Sequence, residues 1–308
     1  MVTRVFHHAD FTGHVTPPGH PEQVARLAAV ERGLSELPLE WQEAPIAADD
    51  EVLRCHPAAY LAKVRRAIPT EGWVALDGET MLSPGSLTAA LRAVGGICAA
   101  VDAVMAAQAQ NAFVAGRPPG HHAETATAMG FCLFGTVAIA AKRLLDHHGL
   151  SRVAVVDFDV HHGNGTQDLL WDEPRILFAS THQMPLYPGT GRADERGAHG
   201  NILNHPLRDG TGSAAMRTAY DGHILPALDA FAPEFLLISA GFDAHSADPL
   251  ASLEWQAEDY AWLTRRLCDL ADRHANGRIV STLEGGYDLA ALQASVAAHV
   301  GVLEERGR

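Results

Sequence analysis

Apolar positions along the chain follow two distinct periods. Leu87, Leu91, Val94, Cys98, Val101 and Met105 recur at steps of four and three, the spacing of a helix with one buried face. A similar helical stretch follows Pro21-Glu22, where proline suits a first turn, and further helices are predicted at about 135–148, 213–231, 256–275 and 288–304. Between them lie short apolar runs rich in β-branched residues at 112–115, 153–156, 176–179, 235–238 and 279–283. Such runs alternating with helices predict an α/β fold, with a mostly parallel central sheet and helices on both faces. No repeat, low-complexity tract or long linker interrupts the pattern, so residues 1–308 are read as a single domain.

The segments just after these runs change the picture most. The first run leads into Arg117-Pro-Pro-Gly-His-His122 and the second into Asp157-Phe-Asp-Val-His-His-Gly-Asn-Gly165. The third leads to Ser180-Thr-His182, the fourth to Ser239-Ala-Gly-Phe-Asp-Ala-His245, and the last to Glu284-Gly-Gly-Tyr287. In open α/β sheets ligands bind beyond the carboxyl ends of the strands, so these polar, histidine-rich loops are expected to converge on one site.

Asp159 and His161 stand two residues apart at a strand end, where extended chain points both side chains to the same side. A lone Asp-x-His is most often an ordinary turn. Here it lies in a block with another aspartate, another histidine and two glycines, which favours a metal site. A catalytic zinc takes three protein ligands as a rule, and Asp243, His245 and Asp248 are the candidates for the third. His121 and His122 follow a stiff Pro-Pro-Gly turn and are suited to acid–base work near neutral pH. Tyr287 follows two glycines that permit close backbone approach, and its hydroxyl could donate to a developing oxyanion.

Composition narrows the partners. Lys plus Arg is 23 against 37 for Asp plus Glu, a net charge of −14, which disfavours nucleic acid and anionic membrane and fits a cationic ligand. The 4 cysteines are scattered without a Cys-x-x-Cys pair, which argues against a disulfide framework or a cysteine zinc site. The first residues lack the apolar core of a signal peptide, and no apolar run approaches the ~18 residues needed to cross a bilayer. The expectation is a reduced, cytoplasmic protein without membrane or direct nucleic-acid partners.

Taken together, these blocks closely resemble the zinc-dependent histone deacetylase family, in its class II-like bacterial branch with the acetylpolyamine amidohydrolases. The resemblance runs from Gly19-His-Pro-Glu22 through Arg117-Pro-Pro-Gly-His-His-Ala123, Gly130-Phe-Cys132 and Asp157 to Gly165. It continues through Ser180-Thr-His-Gln183, Tyr187-Pro-Gly-Thr-Gly191 and Ser239-Ala-Gly-Phe-Asp243 to Asp248-Pro249 and Glu284-Gly-Gly-Tyr287. It implies a three-layer arginase/deacetylase-like fold and a hydrolase that removes acetyl or related acyl groups from the side-chain amine of lysine.

The same resemblance implies the roles. One catalytic Zn²⁺ would be held by Asp159, His161 and Asp248. His122 would act as general base toward the attacking water and then as acid toward the leaving amine. His121 would assist electrostatically with Asp157 hydrogen-bonded to it, and Asn164 would orient His122. Tyr287 would polarise the acyl carbonyl. Gly130, Phe131 and Tyr187 would wall the acyl-lysine tunnel with Leu250 at its mouth, and a structural K⁺ would lie near Asp157, Asp159, His161, Ser180 and Thr181. Three departures refine this. Gly163 stands where arginase relatives need a carboxylate, so a single-metal centre is expected. Polyamine-selective relatives place a glutamate just after Asp-Pro, where this chain has Leu250, which weights the reading toward acyl-lysine over acetylpolyamine. Phe134-Gly-Thr136 replaces the usual Phe-Asn-Asn behind the tunnel. A non-catalytic acyl-amine binding module is the competing class, and it predicts a missing ligand or acid–base group. The segment 77–84 is expected at the rim.

Overall fold

The computed structural model describes residues 2–307. In chain order its strands are β1 (Thr3–His7), β2 (Glu40–Glu43), β3 (Val74–Ala75), β4 (Met81–Leu82), β5 (Asn111–Val114), β6 (Val153–Asp157), β7 (Ile176–Gln183), β8 (Ile202–Leu207), β9 (Phe235–Ala240) and β10 (Ile279–Leu283). The helices are α1 (Ala25–Leu34), α2 (Asp49–Val52), α3 (Ala58–Ala67), α4 (Ser86–Met105), α5 (Thr136–Asp146), α6 (Asn164–Leu170), α7 (Ser213–Ala219), α8 (Leu225–Phe231), α9 (Ala257–His274) and α10 (Leu289–Gly307).

An 8-stranded sheet runs in the order β2-β1-β5-β10-β9-β6-β7-β8, and every neighbouring pair is parallel. Successive side chains of a strand face opposite ways, so each central strand feeds two cores. Val153, Val155, Phe235 and Leu237 pack with α4 and α5 on one face. Ala154, Val156, Leu236 and Ile238 pack with α9 and α10 on the other. Burying each such side chain stabilises the fold by about 1.5–3 kcal/mol before entropy is counted. The parallel arrangement brings all the carboxyl ends to one edge, which places the polar loops together.

Several boundaries depart from the sequence-based expectation. The helix after Pro21 starts only at Ala25, because Glu22 is buried in ion pairs with Arg26 and Arg117 and its backbone lies in a turn. The predicted 213–231 helix is α7 and α8 joined by a π-helical turn at Tyr220–Ile224. Ser180 to His182 do not form a loop: β7 continues through them to Gln183, paired with β8. Finally, α4 is long and apolar enough to cross a membrane, contrary to the sequence-based reading, but most of it is buried as a core helix against β5 and α5.

Candidate active site

Beyond β6, the chain turns so that Asp159 and His161 fall on the same side, as the Asp-x-His spacing predicts. Asp159 Oδ1 lies 3.1 Å from His161 Nδ1, which also lies 3.2 Å from Asp243 Oδ2. Ligand atoms of Asp159, His161 and Asp243 all lie within 4.8 Å of one another, and each residue is buried. The tightest group therefore takes Asp243 as its third member. Asp248 stands beside it: Oδ1 accepts from the Leu250 N–H at 3.0 Å and Oδ2 from the Tyr287 N–H at 2.7 Å. Burial, and then the nearby Asp159 carboxylate, push the Asp248 carboxyl above its usual range. The same two causes raise Asp243. Crowded, desolvated carboxylates around an imidazole form a donor set that a divalent cation would neutralise, so these residues fit a metal centre.

The adjacent histidines at the end of the Pro-Pro-Gly turn occupy opposite electrostatic environments. His121 Nδ1 lies 3.0 Å from Asp157 Oδ2. Burial works against its charge, but the Asp159 and Asp157 carboxylates outweigh it and hold the His121 pKa well above the ordinary value. His122 Nδ1 lies 2.7 Å from Asn164 Oδ1, with no carboxylate in direct contact with the ring. Burial, then the positive fields of His121 and His161, push the His122 pKa well below the ordinary value. The two rings, with centroids 4.0 Å apart, thus form a cationic and a neutral imidazole side by side. Their loop is tied down by Glu284, whose Oε2 accepts from the N–H groups of Gly120 and His121 at 2.7 and 3.2 Å.

These groups open onto a cavity of about 330 Å³. His122, His161 and Tyr287 line it, with Gly130, Phe131 and Tyr187 as walls and Leu250 among the remaining lining. Burial keeps the Tyr287 phenol protonated, well above its ordinary pKa, so it can donate. Gly130 has a left-handed φ of +54°, and a Cβ there would lie 2.4 Å from His122 Cδ2. Phe131 shares the left-handed conformation with φ 70°, and its ring meets Tyr287 edge-on at 5.9 Å. Of the 77–84 segment, Gly78, Glu79 and Met81 reach the cavity.

The comparisons with known proteins agree with this geometry. The histone deacetylase domain profile matches residues 20–303. The chain belongs to the histone deacetylase family. It is 39% identical over 298 residues to a probable deacetylase of Archaeoglobus fulgidus, covering 94% of this chain and 82% of the relative. It is 40% identical over 287 residues to the histone deacetylase-like amidohydrolase of Pseudomonas aeruginosa, covering 89% and 75%. In three dimensions it is similar to the crystal structure of the HDA15 HD domain, with a TM-score of 0.93 and 32% identity over 99% of this chain and 89% of that one. The three-layer deacetylase-type fold implied by the sequence is therefore the fold observed, and hydrolase chemistry of the deacetylase type follows from the family.

Gly163 approaches Asp157 so closely that a Cβ would lie 2.2 Å from its Oδ2, so any side chain there would have to displace that carboxylate. Asp157 and Ser180 are register partners across β6 and β7. The Ser180 hydroxyl lies 2.9 Å from His182 Nδ1, and the Thr181 hydroxyl lies 2.8 Å from the Tyr220 hydroxyl. His245 does not join the metal-type group; its Nδ1 accepts from the Ala247 N–H at 3.1 Å. A second histidine–aspartate group on the surface, Asp102 with His147 and His148, is a weaker candidate because Arg143 holds both oxygens of Asp102 at 2.9 Å. Sequence reasoning left Asp243 among the candidates for the third ligand and missed Glu124 and Glu284. The Glu284-Gly-Gly motif alone carried a signal for one of them.

Proposed function

We propose that this chain is a zinc-dependent deacylase that removes acetyl or related acyl groups from lysine side chains of proteins or peptides. The observation that carries the reading is that His122 and Tyr287 line the same cavity as His161 of the carboxylate–imidazole cluster. Asp159, His161 and Asp248 would hold the zinc, with Asp243, whose Oδ1 accepts from the Val160 N–H at 2.9 Å, bracing the turn that carries Asp159 and His161. When bound, zinc would act as a Lewis acid toward the acyl carbonyl and make water more acidic.

The chain's own groups handle the rest. His122 takes a proton from water as the new C–O bond forms, then delivers a proton to the amine nitrogen as the C–N bond breaks. His121, held cationic by Asp157 and Asp159, favours the negative charge that develops on the acyl oxygen. The Tyr287 hydroxyl donates to that oxygen, an interaction whose loss costs about 3 kcal/mol in comparable sites. Phe131 and Tyr187 present apolar faces to the methylene stem of the lysine. A structural potassium ion would be held among Asp157, Asp159, His161, Ser180 and Thr181. A second reading, an acetylpolyamine amidohydrolase, is favoured by one feature: Glu79 lines the cavity and could pair with a distal ammonium.

The test is turnover of an acetyl-lysine peptide and of acetylputrescine, with and without a chelator, by the wild type, His122→Ala and Tyr287→Phe. Peptide turnover that is chelator-sensitive and falls by roughly a hundredfold in Tyr287→Phe is expected. Wild-type rates in both variants would remove the mechanism, and a preference for acetylputrescine would select the second reading.

A further inference from the structure

The proposed acid–base histidine is held by a side chain that is itself held. Asn164 opens α6, and its Oδ1 lies 2.7 Å from Nδ1 of His122. The Nδ2 of the same amide donates to Oε1 of Glu124 at 2.8 Å and lies 3.3 Å from the sulfur of Met129. A carboxylate only accepts, and a thioether accepts weakly and donates nothing, so the NH₂ end of Asn164 must face Glu124 and Met129. That turns the carbonyl end toward His122. A carbonyl cannot donate, so Nδ1 of His122 must. The neutral ring then carries its lone pair on Nε2, the nitrogen that Asn164 does not engage. This is the tautomer a base in the cavity needs. With Glu124 gone, nothing but a thioether would oppose a half-turn of the amide, which would present NH₂ to Nδ1 and move the ring proton to Nε2.

The loop carrying Glu124 is fixed for this task. Its N–H donates to the carbonyl of Thr127 at 3.0 Å, with the return bond at 3.4 Å. The Thr125 N–H and hydroxyl both donate to Oδ2 of Asp168, at 2.8 and 2.6 Å. Asn164 and Asp168 are one turn apart on α6, so one helix face grips both the loop and the side chain. We infer that Glu124 is a positioning residue: acting through the Asn164 amide, it fixes the orientation and the Nδ1–H tautomer of His122. The inference rests on the acid–base role proposed above for His122. It also explains how a neutral asparagine can serve there, since the orienting charge sits one hydrogen bond further out.

The experiment measures kcat and KM on an acetyl-lysine peptide for Glu124→Gln, Asn164→Asp and the double variant, with His122→Ala as control. Glutamine can accept from or donate to Asn164, so it no longer dictates the amide's direction; kcat is expected to fall about tenfold with KM nearly unchanged. Asn164→Asp alone sets two carboxylates against each other and should be impaired. Adding Glu124→Gln to it supplies a donor and should restore turnover, so the same substitution harms one background and helps the other. Nitrogen-15 spectra of the imidazoles should show His122 as the Nδ1–H tautomer in the wild type and as a mixture in Glu124→Gln. An equal effect of Glu124→Gln in both backgrounds, or an unchanged tautomer, overturns the inference. Full activity of His122→Ala would instead overturn the functional reading beneath it.

Discussion

The backbone N–H of Tyr287 donates to Oδ2 of Asp248 at 2.7 Å, which ties the carboxylate proposed to hold the metal to the phenol proposed to face the oxyanion. Asp248→Ala therefore removes a ligand and loosens the turn that aims the phenol. Metal content measured by elemental analysis is expected to drop well below stoichiometric, and turnover to fall by orders of magnitude. A variant that kept both would show that Asp243 completes the site in its place.

Gly130 and His122 are packed without room for another carbon. Gly130→Ala would set its Cβ 2.4 Å from His122 Cδ2 in a left-handed conformation. The conformational strain is expected to cost about 1–2 kcal/mol, visible as a lower urea midpoint. The larger effect should be on turnover, because the ring rather than the backbone must yield. Retention of wild-type kcat would mean that His122 is not held as the hydrogen bond to Asn164 requires.

How far this site was legible in the sequence depends on what each residue's placement relies on. The closeness of Asp159 and His161 was legible in their spacing, although β6 ends at Asp157 and both lie in the bend beyond it; the strands that carry the site are buried on both faces, so they read as apolar runs. β2 could not be read that way: Glu-Trp-Gln-Glu at 40–43 is exposed throughout, and only backbone pairing with β1 makes it a strand. Pro206 within β8 masked another edge strand. Ser180 and His182 looked like loop residues because polar side chains buried in a strand carry no periodic signal. Glu124 was silent for a different reason, since its meaning depends on α6 folding back to place Asn164 within 2.8 Å. Spacing also left Asp243 and Asp248 undecided, and the structure gives them different partners: Asp243 meets His161, and Asp248 meets the backbone of Leu250 and Tyr287.

Stability should depend on pH through buried neutral imidazoles that are not members of the metal-type cluster. His299 lies between the hydroxyls of Thr264 and Ser281, at 2.7 and 2.8 Å, and burial holds its pKa down at about 3. Burial likewise holds His56 at about 4. Unfolding frees each ring to take a proton near its ordinary value of 6.5. Their stabilisation is therefore complete above that value and is lost as pH falls toward the folded pKa. Each buried ring contributes a slope of about 1.4 kcal/mol per pH unit within the window. Denaturation midpoints should decline between pH 6.5 and 5, with a shallower decline in His299→Gln. An identical slope in that variant would remove His299 from the account.

Leu250 and Glu79 both line the cavity, and their side chains make opposite predictions about substrate. The leucine offers nothing to a distal ammonium, whereas the glutamate could pair with one. Leu250→Glu should raise kcat/KM for acetylputrescine relative to an acetyl-lysine peptide by about fivefold, the worth of roughly 1 kcal/mol for a partly screened ion pair. Leu250→Gln separates charge from size and should leave the ratio near wild type. Glu79→Gln should lower the acetylputrescine rate while sparing a peptide whose lysine carries no further ammonium. If neither charge change moves the ratio, the mouth does not read the far end of the substrate, and selectivity must come from the Phe131 and Tyr187 walls that enclose the acyl-bearing chain.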